Sequence, residues 1–304
     1  MTDAKVVIRV DGGICSQINF VAAGMQIEER IGEKAAVAYD LAWYRECGRD
    51  NNGQFVRNWD FPKAFPKMEI PIVGEKVACE YRRRFLLKSD DIGDYVAPCY
   101  VSAYPVATEY LIRSADKFRV RFKPDLDSQR QSAVKDMKNC VSCAVHVRRG
   151  DMAKGCGLGA PTTIQYYQKA LWLVRQMNPA TKFFFFSDEP QWVREVLLPQ
   201  FPQIESAIVS GENESDRGYM DLYVIAQADY VISSVGSLGI YGAILSEKCR
   251  TLVMSRKDDA VLTAFPHAIC LDCNEHVQAT PMRRTGIYKF PYKIWKKLDR
   301  FLRT

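Results

Sequence analysis

No run in this sequence approaches the ~20 consecutive apolar residues that a bilayer-spanning helix requires, so no such helix is expected. Low-complexity tracts and fixed-period repeats are lacking too, which excludes solenoids, collagens and disordered linkers. Histidine is scarce, with three in 304 residues, so any imidazole chemistry falls to His146, His267 or His276. Charge of one sign is not in strong excess: 42 basic against 36 acidic residues give +6 and a pI near 8.7. That balance favours anionic partners, but a dedicated nucleic-acid binder is expected above a pI of about 9 with its cations on one face. The first residues, Met1 to Lys5, run directly into an apolar stretch with no signal-peptide core, and the expectation is a cytoplasmic chain. Cysteine is not scarce, but the ten cysteines sit in no short, loop-rich framework and read as reduced thiols.

What is present is an ordinary globular composition, 47% apolar and 26% charged, in a chain long enough for two domains at roughly 100–200 residues each. Val6 to Val10 is a β-branched run ending at Asp11-Gly12-Gly13; an amphipathic stretch over 16–31 and a second strand over 35–39 follow. Residues 45–65 read as irregular, and 66–135 have too weak a period to assign. A new alternation begins near Cys140. Strands are predicted over 141–147, 182–186, 230–233 and 251–254, with helices over 164–176, 191–198, 219–228 and 238–247. Strands alternating with helices predict an α/β fold with mostly parallel sheets. Two Rossmann-like domains are expected, residues 1–136 and 137–304.

Ligands of open α/β sheets bind beyond the carboxyl ends of the strands. Three strands of the second half end in unusual residues: His146-Val147-Arg148-Arg149-Gly150-Asp151, Ser187-Asp188-Glu189, and Ser233-Ser234 before Ser237. Alternation puts His146 and Arg148 on one face. Arg148 and Arg149 offer planar forks suited to phosphate oxygens, and a helix starting near Ser237 would aim backbone N–H groups at the same place. The three segments together predict a pyrophosphate site.

The run from His146 to Asp151 resembles the His-x-Arg-Arg-Gly-Asp motif of glycosyltransferase family 11, the α-1,2-fucosyltransferases. Phe183 to Asp188, Asp221-Leu222-Tyr223 with Ser237, and Gly12-Gly13 with Gln17 are similar to its other motifs. The resemblance implies a GT-B architecture, two Rossmann-like domains facing a central cleft, the first (1–136) on the acceptor side and the second (137–304) binding the GDP-sugar and ending in a C-terminal return helix. It implies an inverting transfer of fucose from GDP-fucose to a glycan hydroxyl, the 2-OH of galactose in the family. In that pattern Arg148 binds the β-phosphate, His146 lines the nucleotide pocket, Asp221 accepts from guanine, and Ser237 bonds the pyrophosphate. Arg149, Asp188 and Ser234 complete the nucleotide-sugar set, and Gly12, Gly13 and Gln17 lie across the cleft. Two departures, Cys15-Ser16 and the segment Ser237-Leu238-Gly239-Ile240-Tyr241-Gly242, leave acceptor and linkage open. A different GDP-sugar, or a non-catalytic relative that binds glycans or nucleotides, are the alternatives.

Fixed cations at a departing diphosphate do the work of Mg²⁺ in other transferases, so no metal or other cofactor is expected. Asp151 is the candidate base for the acceptor hydroxyl, or else it orients Arg148 or Arg149. His267, Cys270, Cys273 and His276, with the pair Cys140 and Cys143, are a competing zinc reading whose spacing matches no common finger. The tail from Arg283 to Thr304 alternates basic and aromatic residues. It reads either as the return helix or as a segment lying on the inner face of an anionic membrane near a lipid-linked glycan. The expected partners are GDP-fucose and an oligosaccharide or lipid-linked acceptor, with no nucleic acid.

Overall fold

In the computed structural model, residues 5–32, 36–46, 48–49, 56–87, 97–102, 108–153, 160–211, 214, 216–265 and 267–271 are described. The chain divides into two compact units, one of residues 1–125 with 215–223, the other of 126–214 with 224–304. The boundary thus falls eleven residues or so before the expected 136, and a short segment returns to the first unit.

Unit 1 carries β1 (Val6–Arg9), α1 (Ile14–Ile31), β2 (Val37–Asp40), α2 (Ala42–Glu46), α3 (Phe61–Ala64), α4 (Glu75–Phe85), β3 (Leu86–Leu87), β4 (Cys99–Val101) and α5 (Glu109–Arg119). Its sheet has the order β2-β1-β4-β3 with every pairing parallel. Among its described residues the unassigned stretch 66–135 holds β3 and β4, of two and three residues, with α4 and α5 and the start of a helix of the second unit; the strands are too short to show a period and the helices are largely polar. α4, for instance, buries only Ala78.

Unit 2 carries α6 (Ser128–Lys138), β5 (Ser142–Val147), α7 (Gly150–Ala153), α8 (Ile164–Met177), β6 (Lys182–Ser187), α9 (Pro190–Trp192) and β7 (Ser206–Ile208). After α10 (Gly218–Ile225), which spans the two units, come β8 (Tyr230–Ser233), α11 (Leu238–Leu245), β9 (Thr251–Met254), α12 (Asp259–Ala264) and β10 (Ala268–Cys270). The sheet order is β10-β9-β8-β5-β6-β7, again all parallel. Read from β7, this is the 3-2-1-4-5-6 order of a Rossmann sheet, and the order reverses between β5 and β8.

The core fixes the strands that bear the site. Cys143, Val145 and Val147 face one layer with Tyr166, Tyr167, Leu171 and Val174 of α8. Phe183 to Phe186 of β6 are all fully buried, each contributing about 1.5–3 kcal/mol. His146 is on the opposite face of β5, under α11: a Cβ on Gly239 would come within 3.1 Å of the His146 Cβ and 2.6 Å of the Ser233 Oγ. Glycine is required there for helix and sheet to approach so closely.

Candidate functional site

The site in unit 2 grows from the switch point. β5 delivers His146 and then Arg148 and Arg149; β6 delivers Asp188 and Glu189; β8 delivers Ser233 and Ser234. These ends are tied crosswise. The Arg148 backbone N–H donates to Ser234 Oγ (2.8 Å), the Arg149 backbone N–H to Asp188 Oδ1 (2.9 Å), and Ser187 Oγ donates to the Val147 carbonyl (2.8 Å). The Tyr166 hydroxyl, at 2.7 Å from the Ser233 carbonyl and 3.0 Å from that of Val253, holds the ends of β8 and β9 from below.

The guanidinium of Arg148 lies between two carboxylates, Nη2 at 2.6 Å from Asp151 Oδ2 and Nη1 at 3.2 Å from Asp188 Oδ2. Asp151 holds one nitrogen by a hydrogen bond, while Asp188 contributes an ion pair through Oδ2, which is buried and makes no hydrogen bond among the described residues. Burial raises the Asp188 carboxyl pKa, opposed by Arg148 and by the backbone N–H groups of Arg149 and Gly150. Of the two arginines that Asp151 was expected to orient, it pairs with Arg148, and the Arg149 side chain is used elsewhere. Its Nε bonds Glu189 Oε2 at 3.1 Å and its guanidinium stacks 3.9 Å from the centre of the Trp192 ring. Consecutive residues leaving a strand point to opposite sides, so Arg148 alone faces the switch point.

His146 is 5% exposed, and burial, reinforced by the charge of Arg148, lowers its pKa from 6.5 to about 3. It is a neutral ring wall at physiological pH, with Nδ1 3.4 Å from Ser234 Oγ. Ser234 is buried, and its hydroxyl is committed to the Arg148 N–H, so it shapes the turn. Ser237, by contrast, is exposed and makes no side-chain cap bond at the start of α11. The first-turn N–H groups of a helix have no partner within it and suit an anion. Between them Gly236 passes the site: a Cβ there would lie 3.8 Å from both Arg148 Cγ and His146 Cε1.

The remaining expected residues belong to unit 1. Gly12 has φ +77°, a conformation only glycine adopts readily, and its carbonyl accepts from Tyr44 Oη (3.0 Å) and Gln17 Nε2 (3.2 Å). Gly13 caps α1 in extended conformation. Gln17 corrects the expectation of a ligand contact. It is fully buried; Nε2 also donates to the Asn58 carbonyl (2.7 Å), and Oε1 accepts from the N–H groups of Asp60 (3.0 Å) and Phe61 (2.9 Å). An amide has four hydrogen-bonding positions, and all are spent inside the unit. Asp221 is buried in the first turn of α10.

Trp192 and Tyr166 were missed by sequence reasoning, and Glu189, named beside Asp188 at its strand end, was given no role although it was legible as a partner for Arg149. Among the described residues no group of three His, Cys, Asp or Glu is placed to hold a metal ion. Cys273 and His276, and the tail 283–304, lie outside the described residues.

Two parallel-sheet Rossmann-like units, one with an arginine at its switch point, define the α/β class of the chain. The family model for glycosyl transferase family 11 matches residues 87–264, and the chain belongs to that family. It is a glycosyltransferase by that membership. Among solved structures it is similar to the NodZ alpha-1,6-fucosyltransferase soaked with GDP-fucose, at 15% identity and a TM-score of 0.48 over 80% of this chain and 93% of that one. Fucosyltransferase NodZ from Bradyrhizobium gives 15% and 0.49 over 84% and 96%. POFUT1 in complex with GDP gives 12% and 0.48 over 84% and 99%. No curated protein matches the chain.

Proposed function

We propose that the chain is a metal-independent, inverting fucosyltransferase that takes fucose from GDP-fucose and transfers it to a glycan hydroxyl, the 2-OH of a galactose residue being the acceptor position the sequence motifs favour. The reading rests on one observation: Arg148, just beyond the strand at the point of sheet reversal, has its guanidinium hydrogen-bonded to Asp151 and ion-paired with Asp188 next to the uncapped Ser237 and the start of α11. Departure of GDP leaves negative charge on the diphosphate. A preoriented guanidinium and helix-end N–H groups stabilise that charge as it develops, with no reorganisation at the moment of reaction. Asp151 acts here by orienting Arg148. Neutral His146 forms a wall of the nucleotide pocket, and Asp221 accepts from N1–H and the exocyclic amine of guanine, a donor pair that adenine and uracil do not offer together.

The test is GDP release from GDP-fucose with a galactose-terminated acceptor, in excess EDTA, beside GDP-mannose and UDP-sugars. Turnover with GDP-fucose that persists in EDTA supports the reading; preference for another donor, or loss of turnover with the chelator, overturns it. Calorimetry of GDP binding to Asp221→Asn should show a loss of about 1.5–3 kcal/mol, the range for a hydrogen bond to a charged group.

A further inference from the structure

We propose that Thr162 is a positioning residue of the donor site: its hydroxyl oxygen, by holding the Val235 N–H, sets the turn from β8 into α11 and so decides where Ser237 and the first N–H groups of that helix stand. This rests on the reading of unit 2 as a nucleotide-sugar site, and every residue it uses belongs to that unit.

Pro161-Thr162-Thr163 leads into α8 with two like side chains that act in different directions. Thr163 is exposed and caps its own helix, its Oγ1 accepting from the Tyr166 N–H at 3.4 Å. A helix takes one N-cap residue, so capping does not account for Thr162. Thr162 is buried and serves an element 73 residues away: its Oγ1 accepts from the Val235 N–H at 3.0 Å and lies 3.5 Å from Ser255 Oγ.

The Val235 N–H needs such a partner. β8 ends at Ser233 and α11 begins at Leu238, so this donor belongs to neither the strand ladder nor the helix. Gly236 follows at φ +99°. Glycine has more backbone freedom to lose than any other residue, so a turn through it keeps one shape when its neighbours are tied. On the β5 side the ties are the Ser234 N–H on the His146 carbonyl (3.2 Å) and the Arg148 N–H on Ser234 Oγ (2.8 Å). On the α8 side the Tyr166 hydroxyl holds the Ser233 carbonyl (2.7 Å), and Thr162 takes the N–H adjacent to the glycine. The turn then passes Arg148 and His146 and opens into α11, whose exposed Ser237 makes no side-chain cap bond.

Hydrogen bonds to an anion weaken steeply as distance and angle depart from their optimum, so a turn let loose at Val235 costs contacts made beyond it. Valine at 162 matches threonine in shape but puts a methyl where the acceptor was. The Val235 N–H then lacks its partner, and the turn must move to find another. Serine keeps the acceptor oxygen.

The test uses the full chain well below its melting temperature, with calorimetry of GDP and GDP release from GDP-fucose with a galactose-terminated acceptor. Thr162→Val should weaken GDP by about tenfold and lower kcat by about as much, while Thr162→Ser should stay within about twofold of wild type in both. Thr163→Val, which removes the cap next door, should lower the melting temperature and leave GDP affinity and kcat unchanged. Thr162→Cys, which offers a weak acceptor in the same place, serves if the valine variant does not fold, with an expected loss of about threefold. In wild type the Val235 amide should exchange at least about tenfold more slowly than an unprotected one. A folded Thr162→Val protein with unchanged GDP affinity and kcat, an equal loss in Thr163→Val, or an unprotected Val235 amide overturns the role of Thr162 and leaves the donor reading standing. A wild type that binds no GDP overturns the donor reading and this one with it.

Discussion

Arg148 and Arg149 adjoin in sequence but have separate tasks. Lysine at 148 keeps the charge and loses the fork held by Asp151 and Asp188. Arg148→Lys is expected to fold, melt near the wild-type temperature and lose about 10²–10³ in kcat, the scale of one preorganised donor. Arg149→Lys loses the stack on Trp192, so a stability loss of about 0.5–2 kcal/mol with little change in turnover is expected from urea melts and GDP-release assays. His146 makes a third case. Its folded pKa of about 3 is below the unfolded 6.5, so between those values the unfolded chain binds a proton that the folded chain does not. Stability from this residue is intact above pH 6.5 and falls with acidification, by about 2 kcal/mol at pH 5. Asp188, with its raised pKa, works in the opposite sense. The difference between wild type and His146→Gln in melts at pH 7 and pH 5 isolates the histidine; equal pH dependence would contradict a buried neutral ring.

At the scale of elements, the site depends on how near α11 comes to β5 and β8. Gly239→Ala would put a methyl within 2.6 Å of Ser233 Oγ and 3.1 Å of His146 Cβ. The helix must shift outward, at a cost of about 1–3 kcal/mol, and Ser237 shifts with it. GDP affinity should fall along with stability, read by calorimetry and thermal melts, whereas Gly32→Ala, at a helix end with no atom within 4 Å, should leave GDP affinity alone. The second-half strands were legible as elements because buried parallel strands are continuous apolar runs, as in Phe183 to Phe186. β7 and β10 were not, since edge strands of three half-buried residues carry no such run.

At the scale of the whole molecule, a buried ionic triad joins the two ends of the first segment of unit 2. Arg130, fully buried, bonds Asp127 Oδ2 at 2.6 Å and Glu214 Oε2 at 2.9 Å. Asp127 stands near the start of that segment and Glu214 at its end, so one guanidinium holds the two together within the unit. Arg130→Met would leave two carboxylates without their cation, a loss of about 3–5 kcal/mol in urea denaturation, and adding Glu214→Gln should return part of it. No periodicity announces such a link, because its three members are 84 residues apart at their widest hydrogen bond. The boundary was accordingly placed near 136, inside the segment that α6 joins to unit 2.

The sequence by itself determined the α/β class, the four strands of the second half that form its central sheet, and the segments that converge at its switch point. Local pattern suffices for these, since burial, turn residues and strand alternation act over a few positions. It also carried Arg148, whose motif is contiguous. Only the tertiary structure decided how each polar group is spent: Gln17 on the backbone of residues 58–61, Ser234 on the Arg148 N–H, Asp151 on the Arg148 fork, Arg149 on Glu189 and Trp192. Whether a side chain is satisfied depends on partners tens of residues away, and hydrogen-bonding capacity is a property of neighbours in space, which no local pattern contains.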